Sequence, residues 1–234
     1  MPDLSGRVSE QTSILPIQLD EAGVVFDHRY ALYRISLAFE PGTATVVVGE
    51  NGAGKSTLLS LLAGRLKLQS GRLERNESMI GYLGHELMLY EDLTGMENLV
   101  FFARLWRHKL STEQLESIMH AVGLADAGNK RVRAYSRGMK QRLAVSKLMV
   151  SKSRIWLMDE PTTGLDARGR KWLFQVINDA VSRGITVIAA SHIPAFVQAV
   201  AGRVVVLRQG RVVKTLSRGD TFVEQAFKLS EGDE

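Results

Sequence analysis

The chain has 234 residues, enough for one sizeable domain or a core domain with a smaller insert. Its 45% hydrophobic content is spread along the chain without approaching the roughly 18 consecutive apolar residues of a membrane span. Cysteine is absent, which excludes disulfides and cysteine-based zinc sites and fits a reducing compartment. The net charge is only +5, but Lys130, Arg131, Arg133, Arg137, Lys140 and Arg142 crowd one segment. That segment should attract an anion, either nucleotide phosphate or nucleic acid, unless it is simply a solvated face.

Residues 1–13 are polar and mixed in charge, with no basic stretch leading into an apolar one, so a loose tail is expected there rather than a secretory signal. Residues 14–26 and 30–39 alternate as two strands joined around Asp27-His28-Arg29, an antiparallel pair, and Pro41-Gly42 turns into an apolar strand at 44–48. Phe26 or Tyr30 can stack on an adenine ring, with Phe26 preferred, although an aromatic on a strand also suits a core.

Gly49-Glu50-Asn51-Gly52-Ala53-Gly54-Lys55-Ser56-Thr57 follows, and it matches GxxxxGK[ST] between that strand and an apolar helical run at 58–66. Successive backbone N–H groups must curl around the β- and γ-phosphates, which requires glycine where a Cβ would clash. Lys55 places an ammonium on the β/γ-oxygens, Ser56 offers a hydroxyl to Mg²⁺, and the helix points its positive end at the anion. The sequence therefore reads as a phosphate-binding loop.

Short strands are expected at 71–73 and 79–83, and then the pattern turns helical. Thr94 with Glu97, and Ser111 with Gln114, make two capping boxes before apolar helical runs, the second ended by Gly123. A third helix is expected from Ser136, with Met139, Leu143, Ala144 and Leu148 inward, so residues 85–150 read as a helical insert. Strand and helix then alternate: a strand at 155–158, a helix at 167–182 closed by Gly184, a strand at 185–190 and a short helix after Pro194. A hairpin pairs 204–207 with 212–215 around Gln209-Gly210, and a tail is expected at 218–234. The fold class is α/β: a P-loop NTPase core of the RecA-like kind from 14–84 and 151–217, with an antiparallel β subdomain and the inserted α-helical one.

Asp159-Glu160 ends the strand at 155–158, at the edge of a parallel sheet where nucleotide sites form. Asp159 is placed to hold Mg²⁺ opposite Ser56, and Glu160 to polarise the water that attacks the γ-phosphate.

Leu157-Met158-Asp159-Glu160-Pro161-Thr162-Thr163-Gly164-Leu165-Asp166 resembles the Walker B and D-loop motifs of ATP-binding-cassette (ABC) ATPases. Tyr135-Ser136-Arg137-Gly138-Met139-Lys140-Gln141-Arg142 is similar to their LSGGQ signature, and Ser191-His192 to their switch histidine, all in family order. The resemblance implies a head-to-tail dimer, each ATP lying between one protomer's phosphate loop and the other's Ser136, Arg137, Gly138 and Met139. It implies that His192 contacts γ-phosphate and Glu160, and that Asp166 lies in the D-loop. Two departures stand out: Arg137 and Met139 replace the first glycine and the glutamine of the signature, and His85 stands where the family has its Q-loop glutamine. His85 either contacts Mg²⁺ or water in that role or is a surface residue.

Tyr82-Leu83-Gly84-His85 also resembles the haem-exporter, cytochrome c maturation branch of the family. The resemblance implies an ATPase subunit, peripheral on the cytoplasmic face of the membrane, energising transport through separate transmembrane subunits. Haem export is the expected cargo class, with drug, lipid or other export as the alternative. A groove for a transmembrane coupling helix is expected at Met88, Leu89 and Leu93, which equally suit the insert's own core. A soluble ABC ATPase acting on nucleic acid or ribosomes is the reading from another class. It is disfavoured because the chain has no long coiled-coil insert, no second cassette and no zinc cysteines, and nucleic acid is not an expected partner.

Overall fold

The computed structural model describes residues 17–75, 80–219 and 221–232. The tail expected at 1–13, the first residues of the strand expected from 14, and Met79 lie outside them. Strands β1 (Ile17–Phe26) and β2 (Arg29–Phe39) pair antiparallel, from Ile17 opposite Phe39 to Phe26 opposite Arg29. The chain continues through β3 (Ala44–Val48), α1 (Lys55–Leu62), β4 (Ser70–Glu74) and β5 (Ile80–Leu83) to α2 (Gly95–Leu105), α3 (Thr112–Ala121) and α4 (Arg137–Ser151). It then alternates as β6 (Ile155–Asp159), α5 (Ala167–Ser182), β7 (Thr186–Ala190), α6 (Pro194–Val200), β8 (Arg203–Arg208), β9 (Arg211–Ser217) and α7 (Phe222–Glu231).

Among the described residues these strands form two sheets: a small antiparallel one in the order β2-β1-β4, and a larger one in the order β5-β6-β7-β3-β8-β9. The larger sheet is parallel except for β9, which folds back on β8. Its central strands β6, β7 and β3 are buried throughout and mostly apolar because both faces are covered. Along β7, Val187 and Ala189 join one core while Ile188 and Ala190 join the other; on β6, Trp156 and Met158 alternate with Ile155 and Leu157 in the same way. The first core holds α5, α6 and α7. The second buries Leu58, Leu59, Leu61 and Leu62 of α1 between the two sheets.

Helices α2, α3 and α4 pack around a third core of their own, including Leu99, Phe102, Leu115, Met119, Tyr135 and Leu143. Both capping boxes form: Thr94 with Glu97, and Ser111 with Gln114. Trp172 and Met149 touch this core and the main one together, so they join the helical insert to the sheet.

One element departs from the sequence expectation. Where a tail is expected at 218–234, α7 forms, and Phe222 and Ala226 bury one turn apart in the main core. Its apolar stripe, Phe222, Val223, Ala226, Phe227 and Leu229, is interleaved with Glu224, Gln225 and Lys228, and is too short to stand out as a periodic pattern. Among the described residues no helix is long and apolar enough to cross a membrane.

Candidate functional site

Strands β6, β7 and β3 lie side by side and run parallel, so the loops that follow them leave from one edge. That edge carries the phosphate loop after Val48, Asp159 and Glu160 at the end of β6, and Ser191-His192 past β7. Ligands of open α/β sheets bind at such an edge.

The phosphate loop is shaped by its neighbours. Gly49 sits at φ 156, and a Cβ there would run into the Leu207 carbonyl, so strand β8 leaves no room for a side chain. Lys55, 7% exposed, donates from Nζ to the carbonyls of Gly49 at 2.7 Å and Glu50 at 2.9 Å. An ammonium has three protons, so this closes the loop and leaves one donor for an incoming phosphate. Helix α1 starts at Lys55 with Gly54 as its N-cap, no side chain capping it and no acidic residue in its first turn. Its first N–H groups and positive dipole end are therefore not neutralised from within the helix, which favours an anion. Ser56 is exposed beside them.

The two carboxylates differ in setting. Asp159 is buried, and its Oδ1 has no hydrogen-bond partner among the described residues. Glu160 takes a left-handed backbone at φ 46, held by a hydrogen bond from its N–H to the Ala190 carbonyl at 3.0 Å. Such a conformation costs about 1–3 kcal/mol and persists only where the surroundings enforce it. Its Oε1 lies 2.9 Å from His192 Nδ1, while Oε2 is buried without a partner among the described residues. His192 itself is mostly exposed. With Nδ1 as the donor to the carboxylate, its Nε2 is left for another group.

Two buried, unpartnered carboxylate oxygens carry a desolvation penalty that a cation and a polarised water can relieve. Among the described residues no group of three or more His, Asp or Glu could hold a metal alone. Asp159 and Ser56 fit Mg²⁺ of the kind completed by phosphate oxygens and water.

The other predicted residues fall around this centre. Phe26 ends β1 and lines an open pocket of about 530 Å³ with Asp27, Arg29, Tyr30 and Ala31. Tyr30 already packs edge-on against Tyr33 at 4.8 Å, whereas Phe26 has no ring partner among the described residues. His85 is exposed just past β5, and among the described residues no hydrogen bond joins it to Ser56, Asp159 or Glu160. Ser136 caps α4, accepting from the Met139 N–H at 3.2 Å. No hydrogen bond or ion pair among the described residues links Ser136, Arg137, Gly138 or Met139 to the phosphate loop. Instead α4 rests on the loop after β6, where a Cβ on Gly138 would come 3.3 Å from the Gly164 carbonyl. Asp166 caps α5 through a 2.7 Å bond from the Gly169 N–H.

Three of the six cations in the basic segment are engaged within the fold. Lys140 pairs with Glu91 at 2.5 Å and Arg133 with Asp92 at 3.4 Å. Arg142 lies 4.6 Å over the Trp172 ring and donates to the Val122 carbonyl at 3.1 Å.

A family model described as "ABC transporter" matches residues 32–163, which take in the phosphate loop, the helical insert and the Asp159-Glu160 strand end. The chain belongs to the ABC transporter family. It is an ATP-binding, ATP-hydrolysing cassette. It is 35% identical over 190 residues to "Cytochrome c biogenesis ATP-binding export protein CcmA" of Pseudomonas aeruginosa, covering 74% of this chain and 91% of that one. It is 34% identical to "Daunorubicin resistance ATP-binding protein DrrA3" of Streptomyces coeruleorubidus, covering 84% of this chain and 66% of that one. Its fold matches the ABC cassette MJ0796, solved as a post-hydrolysis dimer with ADP and Pi, at a TM-score of 0.76 and 22% identity over 87% of this chain and all of that one.

Three further residues of this ABC ATPase stand out in three dimensions. Gln141 is buried and donates to the Pro161 carbonyl at 2.8 Å, tying α4 to the loop after Glu160. Lys147, buried among apolar residues, donates to the carbonyls of Leu87 and Met88 and lies 4.7 Å from the Phe102 ring centroid. It holds the segment after His85 against α4, and a lysine inside the run Leu143 to Val150 is the sequence signal that marks it. Trp172 donates to the Ala121 carbonyl at 2.9 Å and carries Arg142 on its face.

Proposed function

We propose that this ABC ATPase works as a head-to-tail pair of cassettes, peripheral on the cytoplasmic face of a membrane, driving transport through separate transmembrane subunits with ATP and Mg²⁺. The observation that carries the reading is the Glu160–His192 contact beside two unpartnered carboxylate oxygens, on the same sheet edge as the phosphate loop. Asp159 and Ser56 would hold the cation, which would supply Lewis-acid stabilisation of the charge that develops on the phosphate. Glu160 orients the attacking water, and His192, fixed through Nδ1, turns Nε2 toward the γ-phosphate. Lys55 and the loop N–H groups bind phosphate, Phe26 supports the base, and His85 would serve toward the cation or its water in place of the family's glutamine.

Ser136, Arg137, Gly138 and Met139 serve the partner copy's nucleotide. Ser136 and Arg137 are exposed at the start of α4, where a helix N-terminus suits an anion, and Asp166 holds the adjacent loop in shape. The transmembrane subunit docks on an apolar face of the insert, where Met88, Tyr90, Phe101, Leu105 and Trp106 are exposed. Leu89 packs into the insert core instead. Nucleic acid is not among the proposed partners, because three of the six cations in the basic segment are engaged within the chain and Arg137 serves the partner copy's nucleotide.

Haem export or cytochrome c biogenesis is the cargo class we favour, on the likeness to the Pseudomonas protein. Drug export is the second reading, favoured by the longer stretch of this chain aligned with the daunorubicin resistance protein. Deleting the gene and isolating the chain from native membranes in mild detergent separates the two. Loss of c-type cytochromes with a co-purifying integral subunit supports the first; normal cytochromes eliminate it.

A further inference from the structure

The β8–β9 turn reaches both walls of the nucleotide site although it belongs to neither. Gln209 and Gly210, at φ 48 and 73, make a two-residue left-handed turn. The Gly210 N–H donates to the Ala53 carbonyl in the phosphate loop at 2.9 Å, and the Gly210 carbonyl accepts from the Tyr33 N–H of β2 at 2.7 Å. One peptide unit on each side of this glycine thus joins the phosphate loop to the strand that starts at the base-side pocket. The fit leaves no room for a side chain: a Cβ on Gly210 would come 2.7 Å from the Ala31 carbonyl oxygen and 3.0 Å from its carbon, both backbone atoms.

The next residue extends the link. Arg211 lays its guanidinium 4.0 Å over the Tyr33 ring centroid, Tyr33 packs edge-on against Tyr30, and Tyr30 lines the open pocket with Phe26. Among the described residues no other hairpin contributes both a hydrogen bond to the phosphate loop and a stacked side chain to the aromatic cluster beside Phe26.

We propose that the β8–β9 turn is a strut that fixes the spacing between the phosphate loop and the base-side aromatic wall, so that Gly210 is a positioning residue for the phosphates and Arg211 one for the purine base of the bound nucleotide. The inference rests on the reading of Phe26 as the base support and of the Lys55 loop as the phosphate site. Gly210 acts on the loop itself, through Ala53; Arg211 acts on the wall, through Tyr33 and Tyr30. Their substitutions therefore have different signatures.

The experiment measures binding of two probes to the full chain, ATP and inorganic tripolyphosphate, by calorimetry. Thermal melts of each variant confirm folding. Arg211→Ala is expected to weaken ATP by about three- to fivefold, the scale of an exposed cation–π contact, and to leave tripolyphosphate unchanged. Arg211→Lys, which keeps a cation over the ring, is expected to restore most of the loss. Gly210→Ala is expected to weaken both probes by about tenfold, because the displaced turn moves Ala53. Phe26→Ala is the reference for the base and Lys55→Ala for the phosphates. If Phe26→Ala reduces the preference for ATP over tripolyphosphate and Arg211→Ala does not, the strut is refuted and the base site stands. If Phe26→Ala leaves that preference intact, the base-site reading fails and the strut fails with it.

Discussion

Replacing Lys147 with Met should change how stability depends on pH. Lys147 is buried, and burial lowers its ammonium from the ordinary 10.5 to about 8. At about 1.4 kcal/mol per pH unit, that depression corresponds to a burial penalty on the order of 3 kcal/mol wherever both folded and unfolded chains carry the proton. Met escapes that penalty but leaves the Leu87 and Met88 carbonyls without their donor, a cost of about 1–3 kcal/mol. These terms nearly cancel, so Lys147→Met should lie within about 2 kcal/mol of the native chain at pH 7. The sign of the pH effect follows from the depressed value. Below pH 8 the folded chain bears the full penalty. Between about 8 and 10.5 it releases the proton while the unfolded chain keeps it, so the native protein gains stability relative to the variant. Urea melts of both proteins at several pH values from 7 to 10.5 read the difference, in which the groups they share cancel. A difference rising by about 2–3 kcal/mol across that window is expected. Parallel curves would refute the buried-ammonium account.

Three other outcomes follow from the same geometry. Phe222→Ala should destabilise the chain by about 3–5 kcal/mol in urea melts, because the ring fills the core beneath α7; a loss below about 1 kcal/mol would mean the helix is dispensable. Trp172→Phe removes the bond to Ala121 and the broad face under Arg142, and should cost about 1–3 kcal/mol. Since Trp172 bridges the helical insert and the sheet, its fluorescence should respond to ATP, checked against Trp172→Phe as the blank; an identical response in that variant would assign the signal elsewhere. Ser136→Ala should lower hydrolysis without weakening ATP binding to a single chain, and equal loss of both would contradict a site shared between copies.

What the sequence made legible was what local chemistry dictates. The phosphate loop, both capping boxes, the Ser136 cap and the carboxylates at the end of β6 depend on residue types at fixed spacing, and spacing is visible in one dimension. Pairing across distance was not. The basic segment looked free because Glu91, Asp92 and Trp172, which engage three of its cations, come from other elements. Gln141 looked like part of a motif, but its amide is buried against the Pro161 carbonyl. The C-terminal helix is not legible in the sequence because its stripe covers few turns and its burial depends on the sheet already being there.

The most direct test of the account is Glu160→Gln, assayed for ATP turnover together with ATP binding and the lifetime of the nucleotide-bound dimer. The amide keeps the size of the side chain and can still meet His192, but it is a far weaker acceptor for a water proton. The account predicts turnover reduced by about 10²–10⁴-fold, with ATP still bound and the paired state longer-lived. Hydrolysis at the native rate would contradict the assignment of Glu160 to the attacking water.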